Sequence, residues 1–210
     1  MKALLVIDTQ YGLIKQKDFT NEIKKIKKLI LTFKANKELI IFTQHLDNDK
    51  NSVLFKDSPN VEIIEELKVY ADYIVKKSTA DSFFNTNLQD VLTRNSINHI
   101  VICGFNTEYC CMFTAIAGFD RGYKVTFIED ATGTVGNENL YEMPGLDIRD
   151  FIGSVLNWSN IIEVLYFDEF MEKIVKLMLH KSSKFYKYSY KSNIEYSSKY
   201  LNIPSYITFF

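Results

Sequence analysis

Short apolar runs alternate along this chain with longer segments that are apolar on one face only, and this alternation most constrains its fold. The runs ALLVI at 3–7 and HIVICGF at 99–105 are almost continuously apolar, which is typical of strands buried on both faces of a sheet. Between 21 and 34, apolar residues recur at three- and four-residue spacing with lysines between them. That period predicts an amphipathic helix.

The same two patterns continue along the chain. Further strands are predicted at 39–44, 73–77, 124–130 and 161–167, and further helices at 85–95, 110–121, 146–156 and 168–179. Strands that alternate with helices favour right-handed crossovers and a parallel sheet that is covered on both faces. We therefore expect a three-layer α/β/α fold with a mainly parallel sheet of about six strands.

Polar residues and a glycine lie at the carboxyl ends of several predicted strands. They are Asp8, His45, Lys77 and Gly104. Because the carboxyl ends of parallel strands meet at one edge of the sheet, and ligands bind beyond that edge, we expect these residues on one rim.

Composition excludes several classes of protein. The 25 Lys and Arg residues balance 26 Asp and Glu residues, for a formal net charge of -1, which argues against nucleic-acid binding through a basic surface. No apolar run approaches the roughly 20 residues that cross a bilayer. We expect no membrane partner, and the first residues lack the pattern of a secretory signal. Only three cysteines are present. They form no disulfide framework, so a cytoplasmic location is the simplest expectation.

The last part of the chain differs from the rest in composition. Residues 180–210 are rich in Ser, Lys and Tyr and have no clear period. We predict one α/β domain over 1–179 and an atypical extension over 180–210.

Cys110 is the first candidate for chemistry. It follows the predicted strand at 99–105 by a short loop and begins a predicted helix. The positive end of a helix dipole and nearby N–H groups favour a thiolate and can hold an oxyanion. A small buried apolar residue is the alternative role of a cysteine. Cys103 lies within the strand and is expected in the core, and Cys111 is expected to point elsewhere.

Asp8 and Lys77 are the other two candidates. Asp8 directly follows an apolar strand and is suited to act as a general base, although a turn or helix cap is the commoner role of such an aspartate. Lys77, or its neighbour Lys76, ends a strand and is suited to lower a thiol pKa, although most lysines are simply solvated.

A metal site is not expected. His45 and Asp47 open the polar loop after the second strand, but His99 and His180 belong to no local cluster, whereas a metal site needs several donors together. A phosphate-binding glycine-rich loop is also missing. We expect neither metal nor cofactor.

Three segments resemble the isochorismatase-like cysteine hydrolases, which include nicotinamidases, N-carbamoylsarcosine amidases and ureidoacrylate amidohydrolases. ALLVIDTQ at 3–10 resembles the family's opening strand with its catalytic Asp. KSTADSFFNTNL at 77–88 resembles the Lys segment. GFNTEYCCMFTAIAGFDRGYKVTFIEDA at 104–131 resembles the nucleophile segment. The likeness covers about residues 2–175 and selects Cys110 over Cys111 and Lys77 over Lys76.

The resemblance implies a role for each matched residue. It implies that Cys110 attacks a carbonyl carbon to form a thioester, that Asp8 moves the proton, and that Lys77 holds both and lowers the thiol pKa. It also implies a cis peptide bond between Phe105 and Asn106, an oxyanion hole formed by the N–H groups of Asn106 and Cys110, and a bracing role for Thr107.

The resemblance also bears on the substrate and on assembly. Nicotinamidases carry an Asp-x-His and a further His after the second strand, whereas this chain reads TQHLDNDKNSVLF and looks more like the metal-free branch. A small amide or carbamoyl compound is therefore the expected substrate. Side chains that we expect to line its pocket, unless they are core, are Gln10, Tyr11, His45, Phe83, Phe105 and Tyr109. The resemblance further implies a homo-oligomer, either a dimer or a tetramer.

Three other functions stay open at this point. A nicotinamidase-like enzyme is one alternative. A non-catalytic binding or assembly protein on the same fold is another, since fold alone does not fix function. A redox pair formed by Cys110 and Cys111 is the third, although adjacent cysteines form only a strained disulfide and the chain has no C-x-x-C motif.

Overall fold

The computed structural model describes residues 1–176 of the chain, and Met1–Phe167 form one compact unit. Its strands are β1 (Lys2–Ile7), β2 (Leu39–His45), β3 (Tyr73–Lys77), β4 (His99–Phe105), β5 (Lys124–Gly133) and β6 (Glu163–Leu165). They form a six-stranded sheet in the order β3-β2-β1-β4-β5-β6, with every neighbouring pair parallel. The expected α/β fold with a parallel sheet is confirmed.

Helices connect the strands. They are α1 (Tyr11–Ile14), α2 (Thr20–Ala35), α3 (Glu65–Lys68), α4 (Leu88–Arg94), α5 (Met112–Asp120) and α6 (Ile148–Trp158). Short 3₁₀ turns occur at Pro59–Val61 and Glu138–Tyr141, and a π-helical turn spans Thr107–Cys111. Within residues 1–176, no helix is both long and apolar enough to span a bilayer.

A second unit begins at Asp168. Its described part, residues 168–176, is helical. The predicted domain boundary at residue 179 and the extension 180–210 lie outside the described residues and stay predictions.

The core lies on both faces of the sheet, as alternation along the strands requires. Ala3, Leu5 and Ile7 of β1 belong to one apolar cluster together with buried residues of α4, α5 and α6. The buried stripe of α2, formed by Ile26, Leu29, Ile30 and Phe33, packs on the other face. The site residues lie at the carboxyl ends of β1, β2, β3 and β4.

Gly104 allows β1 and β4 to approach closely at that edge. Its φ is +121°, and a Cβ at this position would lie 2.1 Å from the backbone oxygen of Ile7. Only glycine fits this conformation and this space. The pairing of β4 with β5 shifts register between Ile102 and Gly104, so the chain that follows is redirected into the turn that carries Cys110.

Two strands differ from the prediction by more than one residue at an end. β5 continues to Gly133 because Gly104 and Phe105 of β4 still pair with Thr132 and Gly133 beyond the register shift. The predicted strand 161–167 is shorter, since β6 pairs with β5 over three residues. Among the described residues, β6 forms the edge of the sheet and pairs with no second strand.

Candidate active site

Asp8, Lys77 and Cys110 come together at the carboxyl edge of the sheet. Nζ of Lys77 lies 2.7 Å from Oδ2 of Asp8 and donates a 3.1 Å hydrogen bond to Sγ of Cys110. The Lys77 side chain is 0% exposed and that of Asp8 is 1% exposed. An acid, an ammonium group and a thiol therefore share one water-poor site, which strengthens the electrostatic interactions among them.

Asp8 is fixed by the strand next to its own. Its backbone has a φ of +45°, a conformation that costs a non-glycine residue about 1 kcal/mol or more. Its N–H donates to Oγ1 of Thr43, 3.1 Å away, and the Thr43 hydroxyl donates back to Oδ1 over 2.6 Å. Oδ2 faces the ammonium group of Lys77 over 2.7 Å, and no described residue meets it with the full geometry of a hydrogen bond. The contact with Lys77 is therefore a close ion pair, and its strength comes mainly from charge.

Lys77 stays charged despite its burial. Burial by itself lowers the pKa of the ammonium group, but the negative charge of Asp8, with smaller contributions from Cys110 and from hydrogen bonds, outweighs burial and raises that pKa above its usual value. Besides Cys110, the ammonium donates to the carbonyl oxygen of Thr79 at 3.0 Å and contacts Nδ1 of His45 at 3.2 Å. It acts as a fixed positive charge beside the sulfur.

The resting state of Cys110 differs from the sequence expectation. A position near a helix N-terminus, next to Lys77, is expected to favour the thiolate. Instead, burial and the negative charge of Asp8 raise the pKa of the thiol to about 12, and the opposing effect of Lys77 is smaller. The thiol is therefore protonated near neutral pH, and any attack by its sulfur needs a base that removes the proton.

The turn that carries Cys110 is braced at several points. The peptide bond between Phe105 and Asn106 is cis. Phe105 is buried and packs edge-on against Phe19, with ring centroids 4.7 Å apart. Oδ1 of Asn106 accepts from the N–H of Val135 at 3.1 Å, and the buried Thr107 hydroxyl donates to Oγ1 of Thr132 at 2.9 Å.

Two N–H groups of this turn are already used. Those of Tyr109 and Cys111 both donate to the carbonyl oxygen of Asn106, at 3.3 and 3.1 Å. They are therefore committed to the turn itself, and Cys110 lies between them.

Gln10 and His45, two of the predicted pocket residues, both lie at the site. Gln10, however, holds the backbone around His45 in place. The buried Gln10 amide accepts from the N–H of His45 at 2.9 Å and donates to the His45 carbonyl oxygen at 2.8 Å. It also donates to the carbonyl oxygen of Val61 at 2.7 Å. Its polar atoms are thereby occupied, whereas the half-buried ring of His45 faces Lys77.

The predicted aromatic pocket residues do not form one group. Tyr11 lines a separate surface groove with Lys15 and Phe19. Phe83 is buried and stacks on Tyr123, with ring centroids 6.0 Å apart. Tyr109 is 43% exposed, and its hydroxyl oxygen lies 3.1 Å from that of Tyr141.

The structure adds residues that the sequence interpretation did not find. Thr43 holds Asp8, and its only sequence signal is a hydroxyl directly after four apolar residues of β2. Glu108 lies in the nucleophile turn and is buried, and its Oε1 accepts from the hydroxyls of Thr134 and Tyr141 at 2.6 and 3.3 Å. Nothing in the sequence signals that a carboxylate between Thr107 and Cys110 points into the protein.

A metal ion does not fit between the site's donors. Ligand atoms of Asp8, His45 and Cys110 lie within 4.8 Å of one another, a cluster that sequence spacing did not reveal. However, Nζ of Lys77 lies 2.7, 3.2 and 3.1 Å from these same three residues. The ammonium group thus already provides the positive charge at the place that a metal ion would take.

Comparison with known proteins agrees with this geometry. Residues 2–157 match the isochorismatase domain. The chain belongs to the isochorismatase family. Family membership makes the chain a hydrolase, and the resemblance drawn from its three motifs is confirmed.

Individual relatives are named for different activities. The chain is 31% identical over 160 residues to Nicotinamidase 3 of Arabidopsis thaliana, an alignment that covers 67% of this chain and 76% of that protein. It is 32% identical over 107 residues to the ureidoacrylate amidohydrolase RutB of Caulobacter segnis, covering 50% of this chain and 45% of that one. A cysteine hydrolase from Pseudomonas syringae pv. phaseolicola 1448A superposes with a TM-score of 0.71, at 24% identity, over 83% of this chain and 92% of that one. At that identity, the superposition supports the fold.

Proposed function

We propose that this chain is a cysteine-dependent amidohydrolase that cleaves a C–N bond of a small amide or carbamoyl compound through a thioester on Cys110. One observation carries the proposal: Lys77 Nζ lies 3.1 Å from the Cys110 sulfur and 2.7 Å from Oδ2 of Asp8. A nucleophile, a base and a fixed cation within such distances suit nucleophilic catalysis. This arrangement argues against a non-catalytic binding role, for which the three side chains need not meet.

The first half of the proposed reaction forms the thioester. Oδ2 of Asp8 takes the proton from the thiol as sulfur forms a bond to the substrate carbonyl carbon, whose oxygen becomes an oxyanion. The N–H groups of Asn106 and Cys110 are the proposed donors to that oxygen. As the oxyanion collapses, the C–N bond breaks and Asp8 returns its proton to the departing nitrogen, so ammonia or an amine leaves.

The second half regenerates the thiol. Asp8 takes a proton from a water molecule whose oxygen attacks the thioester carbon. The second oxyanion collapses, the C–S bond breaks, and the sulfur regains a proton from Asp8. Lys77 keeps its own proton throughout and stabilises whichever of Asp8 and the sulfur is negatively charged.

Nicotinamide is a specific candidate within this substrate class. The similarity to Nicotinamidase 3 favours it. Nicotinamide is itself a primary amide, so the proposed chemistry applies without change. This chain has no Asp-x-His after β2, so the proposed hydrolysis relies on Cys110, Asp8 and Lys77 and uses no metal.

Ammonia release from a panel of small amides, ureides and carbamoyl compounds tests the proposal. The panel includes nicotinamide, with EDTA and separately with added zinc, and the matched control is Cys110→Ala. We expect release by the wild-type protein that EDTA leaves unchanged and that disappears in the variant. Hydrolysis that persists at the wild-type rate in Cys110→Ala would contradict the proposal.

A further inference from the structure

The hydrogens of Lys77 are distributed unequally among its neighbours. Three acceptors have hydrogen-bond geometry towards Nζ: the Thr79 carbonyl oxygen at 3.0 Å, Sγ of Cys110 at 3.1 Å and Nδ1 of His45 at 3.2 Å. An ammonium group carries three hydrogens. Oδ2 of Asp8 is nearer, at 2.7 Å, and forms a close ion pair with Nζ without the angles of a regular hydrogen bond. Four groups therefore compete for three hydrogens, and each hydrogen that another acceptor takes is one that Oδ2 does not receive.

The contact with Lys77 defines the protonation state and the tautomer of the His45 ring. Because an ammonium group can only donate, Nδ1 of His45 must accept, so the ring is neutral and its proton is on Nε2. Burial, and then the charge of Lys77, lower the pKa of His45, against the opposite effects of Asp8 and Asp47. Those charged groups, together with the Cys110 thiol, face the ring from β1, β3, the nucleophile turn and the loop after β2. The neutral ring is therefore the form present near pH 7.

Hydrogen bonds to the backbone of His45 also hold its ring in place. Gln10 is fully buried and bonds both the N–H and the carbonyl group of His45, at 2.9 and 2.8 Å. The backbone of His45 is therefore fixed at the end of β2. A fixed backbone limits the side chain to few rotamers and keeps Nδ1 within reach of Lys77.

We infer that His45 is a positioning residue: its Nδ1 takes one hydrogen of Lys77, so that the ammonium directs another hydrogen at the Cys110 sulfur and leaves Oδ2 of Asp8 open to accept the thiol proton. Thr79 takes the remaining hydrogen. His45 therefore acts through Lys77 and needs no contact with the reacting atoms. This inference rests on the proposed thiol chemistry. It adds a residue that orients the ammonium group of Lys77 and so keeps Asp8 available as the base.

Loss of the acceptor at position 45 has a defined consequence. The hydrogen that it held would turn to Oδ2 of Asp8, the nearest negative atom. Asp8 would then accept the thiol proton less readily, and Lys77 would rotate away from the sulfur. Both changes disfavour the thiolate, so Cys110 would react more slowly with an electrophile even when no substrate is present.

Two nearly isosteric variants test this inference. His45→Asn keeps an oxygen acceptor near the position of Nδ1, whereas His45→Leu has a similar shape and no acceptor. The measurement is the rate of iodoacetamide alkylation of Cys110 between pH 6 and 9, read by mass spectrometry of the peptide that contains it. Cys103 and Cys111 are fully buried, and Cys110→Ser gives the background. Circular dichroism and urea unfolding establish that both variants are folded.

The expected result is alkylation at least about threefold slower in His45→Leu than in His45→Asn, with the Asn variant within about twofold of wild type. A rise of one unit in thiol pKa reduces the thiolate tenfold, and the greater nucleophilicity of the more basic sulfur offsets part of that. Equal rates in the two variants, or faster alkylation in His45→Leu, would overturn the inference. Because this experiment needs no substrate, its failure is separate from that of the proposed function, which the ammonia assay decides.

Discussion

Oδ2 of Asp8 and Nζ of Lys77 lie 2.7 Å apart, and both side chains are almost completely withdrawn from solvent. A buried ion pair is costly to break from one side, because the remaining charge stays buried without a partner. We predict that Lys77→Met lowers the free energy of unfolding by about 3–5 kcal/mol, and Asp8→Asn by a similar amount. Urea unfolding at pH 7 measures both changes.

The double variant provides the control for that pair. Removing both charges leaves no uncompensated ion, so Asp8→Asn with Lys77→Met is expected to be less destabilised than the sum of the single variants by at least about 1 kcal/mol. Strict additivity would show that the two groups do not interact in solution as they do in the structure.

Gly104 is predicted to be irreplaceable for a steric reason. Gly104→Ala places a Cβ 2.1 Å from the backbone oxygen of Ile7 at a φ of +121°, and neither backbone can move without separating β1 from β4. Gly122 is the matched control, since it has a φ of +84° but nothing within 4 Å of its added Cβ. We expect Gly122→Ala to cost about 1 kcal/mol and Gly104→Ala several times more, by urea unfolding. Equal costs would show that conformation alone, and not the contact with β1, selects glycine.

The raised thiol pKa of Cys110 predicts a pH dependence of stability. The native thiol has a pKa of about 12, against an ordinary value of 9.0, so above pH 9 the unfolded chain loses this proton before the native protein does. Stability therefore falls as pH rises through this window. Relative to Cys110→Ser, the wild-type protein is expected to lose about 1.4 kcal/mol between pH 8 and pH 10. Urea unfolding under reducing conditions measures this difference, and a difference that does not change with pH would contradict the pKa assignment.

Much of the fold follows from residue patterns that the sequence displays directly. The apolar runs at 3–7 and 99–105 become the two central strands because only fully buried strands need such continuous apolarity. Asp8 is found from sequence because it directly follows such a strand. Lys77 ends the short strand β3, and the family resemblance is needed to select it over Lys76. The end of a strand is harder to predict where it depends on pairing with a neighbouring strand. For example, β5 continues to Gly133 because it still pairs with β4 there.

The contacts among the side chains of the site depend on the directions in which those side chains point, and these directions cannot be read from one sequence. Phe83 and Tyr11 are aromatic residues of the kind that often line a pocket. However, Phe83 packs in the core and Tyr11 lines a different groove. The acceptor role of His45 towards Lys77 appears only when β2 and β3 lie side by side in register, with His45 beside Lys77. The protonated resting thiol likewise depends on the depth of burial, which spacing along the chain does not give.

Mass spectrometry of the acid-quenched reaction tests the central claim most directly, using whichever amide the wild-type protein hydrolyses fastest. The account predicts that the peptide containing Cys110 gains the mass of the substrate's acyl group, and that Cys110→Ala shows neither this gain nor ammonia release. An acyl group found on a different residue, or ammonia release by Cys110→Ala at the wild-type rate, would contradict it.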